Sequence, residues 1–124
     1  MDKPRPKVLI LDDSAIVRDL LAETLTNNGY DVVGVESPFE FPIAMWRERP
    51  DLVLMDVGMP GLGGDKVVQF ARRGGHGQCP ILLFSDRPEI ELARLAASCG
   101  ADGFIRKTAE PDALLQKLAE LLRR

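Results

Sequence analysis

The chain has 124 residues, 45% of them hydrophobic and 28% charged, with a formal net charge of −3. That composition is ordinary for a globular domain, and a chain of this length buries roughly two-thirds of the surface its unfolded form exposes. The negative balance argues against a nucleic-acid-binding surface, and no apolar run reaches the roughly 18 residues of a membrane span. The opening MDKPRPK is positively charged, but the apolar segment after it, Val8–Leu11, is too short for a secretion signal and runs into two aspartates. The expectation is one domain over residues 1–124, in the cytoplasm.

Taken in order, Lys7–Leu11 (KVLIL) is an aliphatic run that reads as a first strand, ended by Asp12 and Asp13. Ser14 is a good N-cap for a helix with Ile16, Val17, Leu20, Leu21, Thr24 and Leu25 on one face. Asn28-Gly29 closes it, and Asp31–Val35 is a second strand. Ser37-Pro38-Phe39-Glu40 has the spacing of a capping box, but Pro42 removes a hydrogen bond near the first turn. The second helix is therefore expected to be short, starting nearer Phe41 and reaching about Arg47, with Trp46 as a packing residue.

Leu52–Met55 is a short, wholly apolar run of the kind buried on both faces of a sheet, and Asp56 ends it. Gly58, Met59, Pro60 and Gly61 then break regular structure. Asp65–Arg73 reads as a third helix, Cys79–Phe84 as a fourth strand ending at Ser85 and Asp86, and Pro88–Ser98 as a helix closed by Gly100. Gly103–Arg106 is a short fifth strand ending at Lys107. Glu110–Arg123 is an amphipathic fifth helix with Leu114, Leu115, Leu118, Leu121 and Leu122 as its stripe. Cys79 and Cys99 have no ligand spacing and read as buried, reduced thiols. His76, the single histidine, sits in a glycine-rich run and suggests no metal role.

Alternating strands and helices joined by short loops imply a parallel sheet with helices on both faces. In such a sheet all carboxyl ends lie on one edge, where ligands bind. Asp12, Asp13, Asp56, Ser85 and Lys107 would then share one cleft. Three close carboxylates repel, so one must be protonated or a cation must neutralise them. A hard, all-oxygen donor set suits Mg²⁺. An aspartate beside a metal, a lysine and a hydroxyl is equipped to accept a phosphoryl group.

In these residues the chain resembles a response-regulator receiver domain of the CheY-like kind, from Lys7 to Leu122. The order Asp12-Asp13, Asp56 followed by Met59-Pro60, Ser85 and Lys107 matches the family motif by motif. The resemblance implies a flavodoxin-like, doubly wound five-stranded parallel sheet, strand order 2-1-3-4-5, with five helices. It implies Asp56 as phosphoacceptor, and Asp13, Asp56 and the Gly58 carbonyl as Mg²⁺ ligands, with Asp12 holding a metal-bound water. Ser85 and Lys107 would each bind a phosphoryl oxygen, and Phe104 takes the position of the switch aromatic. The implied donor is a histidine kinase or histidine phosphotransfer protein. Output would come through protein contact over Arg87–Leu122, a region that could equally form a homodimer face. No turnover as an enzyme is expected beyond self-phosphorylation and autodephosphorylation.

Three positions depart from the family. Thr108 follows Lys107 where proline usually follows a cis bond; cis before a non-proline residue costs roughly 2.5–4 kcal/mol, so a trans bond with a different loop is open here. Asp86 stands where a small residue is common and is expected to face solvent. Gly58 has no side chain to shield an acyl phosphate from water, so a short-lived phosphorylated state is expected. Two other function classes stay open. One is an Mg²⁺-dependent phosphohydrolase with an aspartate nucleophile, but its second acid would be expected two residues on, at Gly58. The other is a phosphorylation-independent interaction module, in which Asp56→Asn would leave binding intact.

Overall fold

Five strands form, β1 (Lys7–Leu11), β2 (Asp31–Val35), β3 (Leu52–Asp56), β4 (Ile81–Ser85) and β5 (Gly103–Arg106), of which β1, β3 and β4 hold short aliphatic runs. The computed structural model describes residues 4–58, 66, 68, 69 and 79–123. Four helices are bounded within them: α1 (Ala15–Asn27), α2 (Phe41–Glu48), α3 (Glu89–Cys99) and α4 (Pro111–Leu122). Four, not five, is thus the number among the described residues. The expected helix over Asp65–Arg73 lies mostly outside them, although Lys66, Val68 and Gln69 are helical and Val68 is buried. His76 and Met59-Pro60 also lie outside.

All strand pairings are parallel, in the order β2-β1-β3-β4-β5. β3 and β4 are buried at every position, as continuous apolar strands covered on both faces must be. On one face Val8, Ile10, Leu52, Leu54 and Leu82 pack with Leu21 and Leu25 of α1 and with Leu114, Leu118 and Leu121 of α4. On the other, Leu9, Leu11, Val53, Met55, Ile81 and Leu83 pack with Phe41 and Met45 of α2, with Val68, and with Leu92 and Ala96 of α3. Among the described residues no helix is long and apolar enough to cross a membrane.

Two details of the helices differ from expectation. The apolar stripe of α1 is only half used: Leu21 and Leu25 are buried, whereas Ile16 and Leu20 are exposed, because the sheet and α4 cover one part of that face. Trp46 is 71% exposed rather than packed. The inward side of α2 is set by Phe41, Ala44 and Met45, which turns Trp46 and Ile43 outward. α2 does start at Phe41, with Pro42 in its first turn. The capping box does not form, since the Ser37 hydroxyl accepts from Phe39 N–H at 3.1 Å and Glu40 makes no side-chain cap.

Candidate functional site

Register places the polar residues. Leu11 pairs with Met55, so Asp12 emerges beside Asp56; Asp56 pairs with Phe84, so Ser85 comes next on the same edge; Ser85 pairs with Arg106, which puts Lys107 beyond it. The five candidates are brought to one end of the sheet. Asp12, Asp56 and Ser85 are 1%, 6% and 3% exposed, and Asp13 is exposed.

Each buried acid is fixed by its local chain. Asp12 Oδ1 accepts from Ser14 N–H at 2.9 Å, while Ser14 Oγ accepts from Val17 N–H at 3.3 Å and caps α1. Arg18, one turn into α1, donates to the Asp12 carbonyl at 2.7 Å. Asp56 Oδ1 accepts from Gly58 N–H at 3.0 Å. Lys107 Nζ reaches across to Asp12 Oδ2 at 2.9 Å and to Asp56 Oδ1 at 3.5 Å. That Asp12 oxygen is fully buried and has no other hydrogen-bond partner among the described residues, so the ammonium is its counter-charge. Lys107 also lies 5.6 Å from the centre of the Phe84 ring.

Carboxylate oxygens of Asp12, Asp13 and Asp56 lie within 4.8 Å of one another. Burial lifts Asp56 above the ordinary carboxylate range; Asp12 and Asp13 add to the rise, and the Gly58 N–H and Lys107 only partly oppose it. Burial pulls Lys107 down, but its contact with Asp12 and the charges of Asp56, Asp12 and Asp86 outweigh this and hold it above the usual lysine value. Lysine alone therefore leaves the acids under-neutralised. A small, hard divalent cation such as Mg²⁺ matches the all-oxygen donor set and its charge.

The residues that depart from the family pattern also have places. Lys107–Thr108 is trans, and Ala109 N–H closes a turn onto the Arg106 carbonyl at 3.0 Å, with the ammonium still at the acids. Asp86 is exposed, as expected. A Cβ on Gly58 would lie 3.5 Å from Asp56 Oδ1, so this position looks directly onto the Asp56 carboxylate. Ser85 Oγ accepts from Arg87 N–H at 3.0 Å, and Phe104 is half-buried against the α2–α3 side of the core.

Residues 8–119 match the family model of the response regulator receiver domain. The chain belongs to that family. Receiver domains are the switch modules of two-component response regulators. Among curated relatives, this receiver is 30% identical to the DNA-binding response regulator MtrA of Mycobacterium tuberculosis over its whole length, which is 54% of MtrA. It spans about half the length of the curated relatives it matches. Of solved structures, the BeF3-activated receiver domain of Klebsiella pneumoniae RstA is 31% identical, with a TM-score of 0.87 over 95% of this chain and 99% of that one. The chemotaxis protein CheY4 of Vibrio cholerae is 29% identical, with a TM-score of 0.87 over 94% and 98%.

Two residues at the edge of this receiver site were not singled out from sequence. Arg18 carried a faint signal, four residues after the cap Ser14, where an α-helix returns to the same face. Arg106 carried none, because its partners are 19 and 20 residues away in the chain.

Proposed function

We propose that the 124 residues act as one receiver domain, phosphorylated on Asp56 by a histidine kinase or histidine phosphotransfer protein. The observation that carries this reading is the convergence of Asp12, Asp13, Asp56 and Lys107 at one sheet edge, with Asp56 buried beside the exposed Asp13. In the transfer, an Asp56 carboxylate oxygen attacks phosphorus and the P–N bond to the donor imidazole breaks. The ring nitrogen leaves with the electron pair and takes up a proton. Lys107 stands ready to pair with a phosphoryl oxygen, and Ser85 to bond another. Asp12, Asp13, Asp56 and the Gly58 carbonyl would hold Mg²⁺, which supplies positive charge against the three carboxylates and the incoming phosphoryl oxygens.

The phosphoryl group adds about −1.5 to −2 charges at neutral pH. That charge shifts the balance between two packings of the face around Ser85 and Phe104. The output surface is the Arg87–Leu122 region, which docks a protein effector or a second copy of the chain. The test is the intact mass after incubation with acetyl phosphate, with and without Mg²⁺, for wild type and Asp56→Asn. The expected result is a Mg²⁺-dependent phosphoryl adduct on wild type that is absent from the variant. A folded wild type that takes no adduct would overturn the reading.

A further inference from the structure

Three successive backbone carbonyls, from the last residue of β4 onward, are each held from the end of β5 or the residue just past it. Lys107 N–H donates to the Ser85 carbonyl at 2.9 Å. Arg106 Nη2 donates to the Asp86 carbonyl at 3.2 Å, and Arg106 Nε to the Arg87 carbonyl at 3.1 Å. The guanidinium thus spans two adjacent peptide groups, a task its planar fork suits and a lysine ammonium cannot duplicate. The same loop fixes the Ser85 side chain, whose Oγ accepts from Arg87 N–H at 3.0 Å. No hydrogen bond joins Ser85 Oγ to Asp56 among the described residues.

These contacts form a chain of dependence. The Ser85 hydroxyl is tied to the Arg87 amide, and the Arg87 peptide is tied to Arg106. If Oγ is to travel toward a phosphoryl group on Asp56 while keeping its bond to Arg87 N–H, residues 85–87 shift together, and both guanidinium bonds then break or follow. From this we infer that Arg106 is a positioning residue that latches the Ser85–Arg87 loop in its resting place. It thereby sets how readily the domain switches. This rests on the receiver reading above. Arg106 is exposed, so each bond is modest, and loss of the pair should move the equilibrium by about fivefold.

The test compares full-length wild type, Arg106→Ala and Arg106→Lys, after thermal melts establish that all three are folded. Amide hydrogen exchange at Arg87 is measured in the unmodified proteins, and the affinity for beryllofluoride, a phosphoryl mimic, is measured with Mg²⁺ present. Arg106→Ala is expected to speed exchange and tighten beryllofluoride binding, each about fivefold, with Arg106→Lys in between. A purely structural role would instead weaken binding of the mimic. Unchanged exchange, or unchanged or weaker affinity, in Arg106→Ala would overturn the latch. A wild type that binds no beryllofluoride would overturn the phosphoacceptor reading and the switch with it, while the exchange data would still report whether Arg106 staples the loop.

Discussion

The Lys107 ammonium lies 2.9 Å from Asp12 Oδ2, nearer than its 3.5 Å from Asp56 Oδ1. In the resting domain the lysine is committed first to the acid that ends β1 and only second to the proposed acceptor. A phosphoryl group arriving on Asp56 therefore competes with Asp12 for one ammonium. Lys107→Met removes the counter-charge from two buried acids and is expected to cost about 1–3 kcal/mol at neutral pH without divalent cation. Mg²⁺ should then raise the melting temperature of the variant more than that of wild type. The lysine's own contribution is full below its ordinary value of 10.5 and is lost as pH rises through its higher folded-state value. Thermal melts with EDTA or Mg²⁺ check this, and equal Mg²⁺ effects on the two proteins would refute it.

Asp56 stands in the opposite balance. Burial raises its carboxyl in the folded state, with Asp12 and Asp13 adding to the rise, so the folded chain holds that proton more tightly than the unfolded chain does. Above the folded-state pKa the ionised group costs stability in full. The cost declines as pH falls through that value and is gone below the ordinary 3.8. Asp56→Asn keeps an acceptor for Gly58 N–H and removes the charge. Its melting temperature at neutral pH in EDTA should exceed that of wild type by roughly 3–5 °C, with the gain vanishing toward acid. A variant that melts at or below wild type at neutral pH would contradict this.

Gly58 faces the proposed acceptor, Asp56, without a side chain. A Cβ there would make ordinary contact, 3.5 Å from Asp56 Oδ1, so a side chain starting at this position would crowd an attacking water. Gly58→Met is expected to slow decay of the phosphorylated protein about tenfold, equivalent to ~1.4 kcal/mol on the hydrolysis barrier. Following the adduct by mass against time decides it, and an unchanged half-life would remove water exclusion as the explanation.

α2 ends on Arg49 in the left-handed conformation, φ 46 and ψ 59, with its N–H on the Met45 carbonyl. Glycine adopts that geometry without the clash a Cβ brings. Arg49→Gly should stabilise the domain by about 0.5–1 kcal/mol in urea unfolding, with no effect on the acid cluster. A loss of stability would show that the Arg49 side chain contributes packing that outweighs its backbone strain.

The strands were legible because Val8–Leu11, Leu52–Met55 and Ile81–Phe84 are unbroken apolar runs with acids or a serine immediately after them. Parallel alternation then determines that Asp12, Asp56, Ser85 and Lys107 share an edge, whatever the details of the loops. Periodicity says less about which part of a face finds a partner. Ile16 and Leu21 belong to the same stripe of α1, yet only Leu21 meets the sheet. Trp46 shows the same limit: its size suggested packing, but the three residues Phe41, Ala44 and Met45 already occupy the inward side. Ser37 and Glu40 had capping-box spacing, and a shorter turn took the serine hydroxyl instead. Arg106 was invisible for a different reason, since its bonds to the loop after Ser85 exist only once β4 and β5 are paired.

The sheet separates two cores that never mix. Val53 and Leu54 are neighbours in the chain but belong to different ones, the first with α2 and α3, the second with α1 and α4. Substitutions remote from each other across that partition, such as at Leu25 and Leu92, should therefore add in their effects. The two helical layers are thereby expected to respond to substitution independently of each other. Drift in the layer built on α1 and α4 leaves the packing beneath α2 and α3 undisturbed, and the acid edge, rooted in strands common to both, is what each layer must continue to fit.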